Sequence, residues 1–264
     1  GISERLINFC RSLVGHKRSG MALVCVIVSC FFAAISGSGP ATVAALGMII
    51  IPAMVQAGYD KASGTALMST AGAIGIIIPP SITFVIYGSI TGTSVGSLFA
   101  SGILMGVLLV VAMMWVSRKR ELHLLPKATW KERWESFKDA FWGLMMPVII
   151  LGGIYGGIFT PTEAAAVSAI YGLFVGLFIY KTITFKDVPR ILADSVSQTA
   201  VVMFIVGTAS LFAWILTVTG LAAQASNVLI SVSSGNKYIF LLIVNIILLI
   251  AGCFIDANSA CYIL

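Results

Sequence analysis

Two short oxygen-rich clusters interrupt otherwise apolar runs, and both carry residue types able to handle ions. The first is Ser36-Gly37-Ser38-Gly39-Pro40-Ala41-Thr42, between hydrophobic runs over 21–36 and 41–56. The second, Asp256-Ala257-Asn258-Ser259-Ala260, follows the run over 238–254. In the first, Pro40 suits the opening turn of a helix and Ser38 its N-cap. A helix starting there aims free N–H groups and a positive dipole end at an anion such as a carboxylate. The preceding helix would end in free carbonyls that can hold a cation. A capped helix–helix turn in water is the competing reading of the same residues.

A third interruption lies at Gly72-Ala73-Ile74-Gly75-Ile76-Ile77-Ile78-Pro79-Pro80-Ser81. Pro79 and Pro80 have no N–H, so carbonyls one turn upstream lose their donors. Either a hard monovalent cation such as Na+ takes those carbonyls, or the site is a simple proline kink. Asp256 is an ionisable side chain within a hydrophobic hairpin, which is costly and marks a functional candidate. Cation binding, proton coupling and a structural helix cap all fit it, with Asn258 and Ser259 adding oxygens beside it. Thr160-Pro161-Thr162-Glu163 reads as a helix start, with Thr160 as cap, Pro161 first and Glu163 third, a structural role. Asp194 and Gln198 are read in the same way, at the start of a later helix.

Catalytic signatures are missing. The chain has no GxxxxGK[ST] loop, no GxSxG, and no HExxH frame around His16 or His123. No enzyme is expected. Five cysteines occur without CxxC spacing and read as small buried hydrophobes.

The elements that position these clusters follow from composition. Hydrophobic residues make up 59% and charged residues 10%, against about a quarter charged in soluble domains. Runs such as 95–116 and 162–180 approach the ~20 helical residues that cross a bilayer. No alternating pattern suggests a barrel, so the fold expected is all-α and polytopic in the membrane. The net charge of +6 gathers at 1–20, 117–138 and 181–190, an excess that marks cytoplasmic loops. The middle cluster is interleaved with Glu121, Glu132, Glu135 and Asp139, and Trp130, Trp134 and Phe137 recur in it at helical spacing. It reads as an amphipathic connector at the lipid headgroups, with no nucleic-acid partner.

With the basic clusters inside, 21–36 and 41–56 read either as a hairpin entering from the cytoplasm with its tip at the first oxygen cluster, or as two full spans with the same parity. Segment 62–90 runs outward through the proline break and 95–116 returns. Segment 139–159 goes out, 163–180 returns, 196–219 goes out, and 220–236 stays outside. The run 238–254 then enters from outside and meets the second cluster. The same unit thus occurs twice with opposite orientation, the pattern of inverted-topology repeats in secondary transporters. The expected division is a first repeat over 1–116, a connector over 117–138 and a second repeat over 139–264. The start at Gly1 and the stop at Leu264 inside an apolar stretch suggest a fragment trimmed at both ends.

The stretch Ser36–Ala45, the Ile78-Pro79-Pro80-Ser81 break and Gly152-Gly153-Ile154-Tyr155-Gly156-Gly157-Ile158-Phe159-Thr160-Pro161-Thr162-Glu163-Ala164-Ala165-Ala166 resemble the large membrane (M) subunit of tripartite ATP-independent periplasmic (TRAP) transporters. The resemblance runs through essentially the whole chain, in order. It implies an elevator-type secondary transporter of the bacterial inner membrane with two re-entrant helical hairpins and broken helices. Na+ would be the coupling ion, with no other cofactor. Its partners would be a periplasmic substrate-binding protein (P type) and a small membrane subunit (Q type).

By motif, the resemblance maps one Na+ site to Ser36 and Ser38 with the backbone carbonyls of Gly75, Ile78 and Pro80. A second maps to Asp256, Asn258 and Ser259, its remaining ligands coming from beyond Leu264. Gly39, Thr42, Ser81 and Thr83 are the candidates for the substrate cavity. The family carries organic anions, chiefly C4-dicarboxylates, with sialic acid and other sugar acids as variants. The tip SGSGPATVAALG and Trp142-Gly143-Leu144-Met145 resemble the dicarboxylate branch. No Lys or Arg falls in the site, so anion selection would rest on helix N-termini and hydroxyls. A proton-coupled symporter and a non-transporting scaffold or channel are the rival readings.

Overall fold

The computed structural model describes residues 2–117, 126–233, 235–255 and 257–263. Every regular element among them is helical. Six stretches are long and apolar enough to cross a membrane, by length and composition. The chain forms two compact units, Gly1–Gly88 with Gly92–Phe185, and Ser89–Thr91 with Lys186–Leu264.

The elements of the first half are α1 (Ile2–Val14), α2 (Gly20–Ser36), α3 (Gly39–Gln56), α4 (Lys61–Gly72), the single turn α5 (Ile74–Ile77), α6 (Ile82–Thr91) and α7 (Val95–Ser117). They are followed by α8 (Trp130–Tyr155), α9 (Pro161–Phe174) and a π-helical turn over Val175–Ile179. The remaining elements are α10 (Val188–Val218), α11 (Leu221–Ser233), α12 (Lys237–Ala251) and α13 (Ala257–Ile263).

Helix α2 is the centre of the first unit because it is apolar on every face. It has no charged residue, and Met21 through Val26, Val28, Ser29, Ala33 and Ala34 are buried. A helix hydrophobic all round is buried in its fold, and α2 touches α1, α3, α4, α5, α7 and α8. Between apolar helices in lipid, close packing replaces the hydrophobic drive, and small residues permit it. On α7, Gly102 and Gly106 face the segment after α5. A Cβ at Gly102 would stand 2.6 Å from the Ile77 carbonyl oxygen, and one at Gly106 2.6 Å from the Ile78 side chain. Phe99, one turn earlier on α7, is fully buried, its ring 6.4 Å from that of Phe84.

Helix α1 is amphipathic. Leu6, Ile7 and Cys10 are buried, while Arg5 pairs with Asp139 of α8. The amphipathic residues around Trp130 do not form a separate connector helix. They are the first turns of α8, which runs unbroken for 26 residues into the apolar segment. Thr129 caps it in a reciprocal box with Glu132, and nothing between Trp130 and Asp139 breaks the helix. The residues 118–125 of the expected connector lie outside the described set.

The second unit differs from the expected layout at its start. Helix α10 begins at Val188 with Pro189 in its first turn, not near Asp194. Proline is pre-organised for a first turn, whereas Asp194 lies inside the helix and forms an exposed i,i+4 pair with Arg190 at 3.9 Å. The polar segment 220–236, expected outside, holds α11. Helix α10 is almost wholly exposed, with Ala209 its one buried residue among those described.

Candidate functional site

The first cluster terminates one helix and starts another within two residues. Gly37 adopts φ +63°, and its N–H donates to the Ala33 carbonyl at 2.9 Å, closing α2. This left-handed conformation is the usual C-terminal stop and favours glycine. Space points the same way, since a Cβ there would lie 2.6 Å from the Pro80 carbonyl oxygen. Ser38 is extended and stands at the N-cap of α3, with Gly39 and Pro40 in the first turn. Its hydroxyl makes no capping bond. The Ser38 carbonyl instead accepts from the Thr42 hydroxyl at 2.7 Å, the Thr42 N–H at 3.1 Å and the Ser36 hydroxyl at 3.5 Å.

This tip docks on the interruption between α4 and α6. The Ile82 N–H donates to the Gly37 carbonyl at 3.3 Å. Gly75 is pressed against the tip from the other side: a Cβ there would meet the Thr42 Oγ1 at 2.7 Å and the Ser38 carbonyl oxygen at 2.8 Å. Gly39 and Gly72 form a similar close crossing, a Cβ on Gly39 lying 3.0 Å from the Gly72 carbonyl oxygen.

The proline pair explains why this backbone has unused carbonyls. In a continuous helix, the carbonyls of Gly75 and Ile76 would bond the N–H groups of residues 79 and 80, which prolines lack. The Ile76 carbonyl is satisfied by the Ser81 hydroxyl. That hydroxyl also accepts from the Phe84 N–H at 3.5 Å and so caps α6. Ser81 is 1% exposed.

A cavity of about 250 Å³ opens where tip and break meet. One side is made by Ser36, Gly37, Pro80, Ser81 and Ile82. The other is apolar, with Phe99 from α7, Ile150 and Ile154 from α8, and Pro161, Ala165 and Ser168 from α9. Two helix N-termini reach this cavity, that of α6 through Ser81 and Ile82 and that of α9 through Pro161. Their positive dipole ends suit an anion. The α3 terminus is packed against the break instead.

The residues singled out by sequence therefore separate into groups. Ser36, Ser38, Gly75, Pro80 and Ser81 are brought to the tip–break contact. Ile78 ends α5 in extended conformation beside them. Gly39 and Thr42 sit behind the tip: both are buried, and neither lines the cavity. Thr83 is half-buried in the first turn of α6 and lies outside the lining. Thr160 caps α9, Pro161 is its first residue, and the Glu163 carboxylate accepts from the Thr160 N–H at 2.8 Å. Asp256 lies outside the described residues. Asn258 and Ser259 are half-buried on α13, which packs on α10.

The cavity walls were not found by sequence reasoning. Phe99, Ile150, Ile154 and Ser168 sit in long apolar helices with no local polarity break to mark them. The one available signal was spacing, since Gly102 and Gly106 mark the face of α7 that approaches the break. Among the described residues no three His, Cys, Asp or Glu side chains gather as a metal-binding group. Any cation held here would meet neutral oxygens.

Known proteins place this architecture. The chain matches, over residues 1–264, the family described as tripartite ATP-independent periplasmic transporter, DctM component. It is 44% identical to the C4-dicarboxylate TRAP transporter large permease protein DctM of Pseudomonas aeruginosa, over 100% of this chain and 62% of that protein. It is 39% identical to the sialic acid TRAP transporter large permease protein SiaM of Vibrio cholerae, over 97% of this chain and 61% of that protein. With the isethionate TRAP transporter permease protein DctMQ of Oleidesulfovibrio alaskensis it shares 40% identity, over 100% of this chain and 42% of that protein. The chain thus spans less than two thirds of the length of these relatives.

Proposed function

The chain belongs to the DctM component family of TRAP transporters and is a multi-pass inner-membrane protein, and from that premise we propose that it imports an organic carboxylate by Na+ symport. The cargo proposed is a C4-dicarboxylate. It is handed over by a P-type periplasmic binding protein, and a Q-type small membrane subunit completes the complex. One relative carries the name DctMQ, which joins the two membrane components in its title.

The observation that carries this reading is the docking of the Ser36–Ser38 tip onto the proline break at Gly75–Ser81. Unwound backbone carbonyls are the groups that hold Na+ in transporters built of broken helices, and half-helix N-termini face anionic substrates. The tip–break contact offers both at once. Ser36, Ser38 and the carbonyls of Gly75, Ile78 and Pro80 are the Na+ ligands in this proposal. Ser81 and the α6 N-terminus face the carboxylate. A second Na+ would bind at Asp256, Asn258 and Ser259. Substrate and ion cross together by an elevator motion carrying two re-entrant hairpins, α2–α3 and α12–α13.

The relative at 44% identity is named a C4-dicarboxylate permease, and that name supports the dicarboxylate over a sugar acid. The test is uptake by the full-length permease, reconstituted with its small subunit and binding protein. The proposal expects succinate uptake that requires a Na+ gradient. Uptake driven by a pH gradient without Na+ would overturn it and favour proton coupling.

A further inference from the structure

The α1–α8 pair builds a cationic corner that the transport reading does not use. The two helices run antiparallel, as three contacts show. Ile2 lies against Gly143, Arg5 pairs with Asp139, and the Phe9 and Phe137 rings are 5.7 Å apart. This register carries the α1–α2 turn, Gly15–Ser19, to the first turns of α8. His16 and Lys17 from the turn therefore meet Lys127, just before α8, and Arg133 within it. Partial burial, followed by the charges of Arg133, Lys127 and Lys17, pushes the His16 imidazole below its ordinary pKa.

Among the described residues, two buried nitrogens in this corner have no hydrogen-bond partner, Nε of Arg133 and Nδ1 of His16. Buried polar groups are nearly always paired, and leaving one unpaired is costly. Arginine can only donate, so the missing partner of Arg133 is an acceptor. The acids near it on α8 are committed elsewhere: Asp139 is paired with Arg5 and the Glu132 carboxylate accepts from the Thr129 N–H at 2.7 Å. Glu135 is two residues away along the helix, a spacing that does not face Arg133.

The surroundings say where the acceptor comes from. Trp130 and Trp134, on the same turns of α8, are 80% and 51% exposed. Lys138 lies over the Trp134 ring, 5.6 Å from its centroid. Exposed tryptophans interleaved with lysines are the residues of the membrane–water interface. Phosphate groups lie at that depth, and the cytoplasmic leaflet supplies anionic ones.

We propose that the corner formed by His16, Lys17, Lys127 and Arg133 is a binding site for the phosphate of an anionic phospholipid of the cytoplasmic leaflet. The Arg133 guanidinium donates to phosphate oxygens, a geometry it fits better than lysine does. The lysines add charge, and the bound lipid ties the α1–α2 turn to α8 in the unit that carries the tip.

The test compares retention of phosphatidylglycerol and phosphatidylcholine by the full-length permease, measured by native mass spectrometry from mixed micelles. Wild type should prefer phosphatidylglycerol, and the preference should drop about fivefold for each of Lys127→Gln and Arg133→Gln. Lys127 precedes the helix and can be changed without disturbing the α1–α8 contact, so a folding defect in Arg133→Gln leaves the question decidable. Lys131→Gln with Lys138→Gln removes equal charge from the exposed face and should change the preference little. An equal drop in both pairs would mean diffuse attraction and would overturn the site. So would thermal stabilisation by millimolar inorganic phosphate in zwitterionic micelles that matches phosphatidylglycerol, because the ligand would then be a soluble anion. A preference that appears only in Glu121→Gln would also overturn it, since that side chain would be the native acceptor.

Discussion

The two helix breaks have similar residues and opposite surroundings. At the first, the Ser36–Ser38 tip is closed against a second break, and Gly37, Gly39, Gly72 and Gly75 are all buried. At the second, Gly252 and Cys253 are exposed and Phe254 is 84% exposed. Small polar residues alone do not dock. The first break does because Pro79 and Pro80 strip donors from a helix that meets it, and because glycines let the two backbones touch.

The largest effect expected from that contrast is steric. Gly75→Ala forces a methyl to within 2.7 Å of Thr42 Oγ1 and 2.8 Å of the Ser38 carbonyl oxygen. It should cost about 1–3 kcal/mol and reduce Na+-driven uptake in proteoliposomes in proportion. Among the described residues, Gly252→Ala in the open break meets the Leu248 and Leu249 carbonyls of its own helix, at 3.1 and 3.9 Å. It should stay within about 0.5 kcal/mol. Equal losses for the two would end the comparison.

Ser81→Ala comes next. It removes the cap of α6 and leaves the buried Ile76 carbonyl without its partner, at a cost of about 1–2 kcal/mol. The thermal unfolding midpoint of the purified permease should fall accordingly. Asp256→Ala probes the other break: assembly should persist while the Na+ dependence of uptake weakens. An unchanged Na+ response would leave the first break as the only coupling site. The smallest effect expected is that of Thr42→Val, which loses the bond to the Ser38 carbonyl for about 1 kcal/mol. Since Thr42 does not line the cavity, substrate KM should not move; a large rise would bring Thr42 back to the substrate.

These residues also show what the sequence made legible. The stop at Gly37, the start of α3 and the interruption at Pro79-Pro80 are local events, set by φ preference and missing donors, and they can be read directly. The box at Thr160–Glu163 is equally local. Helix α10 starts at Val188 and not at Asp194 because Pro189 pre-organises its first turn, while Asp194 and Gln198 are simply polar residues inside the helix. The helix N-termini at the cavity are those of α6 and α9 and not that of α3, because only the docking of tip on break decides which end is covered. Phe99, Ile150 and Ser168 were invisible for the same reason, since apolar helices in lipid look alike until their neighbours are known.

The central claim is that the docked tip and break form a Na+ site, and Pro80→Ala tests it most directly. Alanine returns an N–H that competes with the Ser81 hydroxyl for the Ile76 carbonyl and so shifts the Pro80 carbonyl away from the tip. The measurement is the Na+ concentration that half-saturates succinate uptake by the reconstituted full-length transporter. The account predicts a rise of about tenfold, equivalent to about 1.4 kcal/mol, with uptake recovered at high Na+. A half-saturation identical to wild type would contradict it.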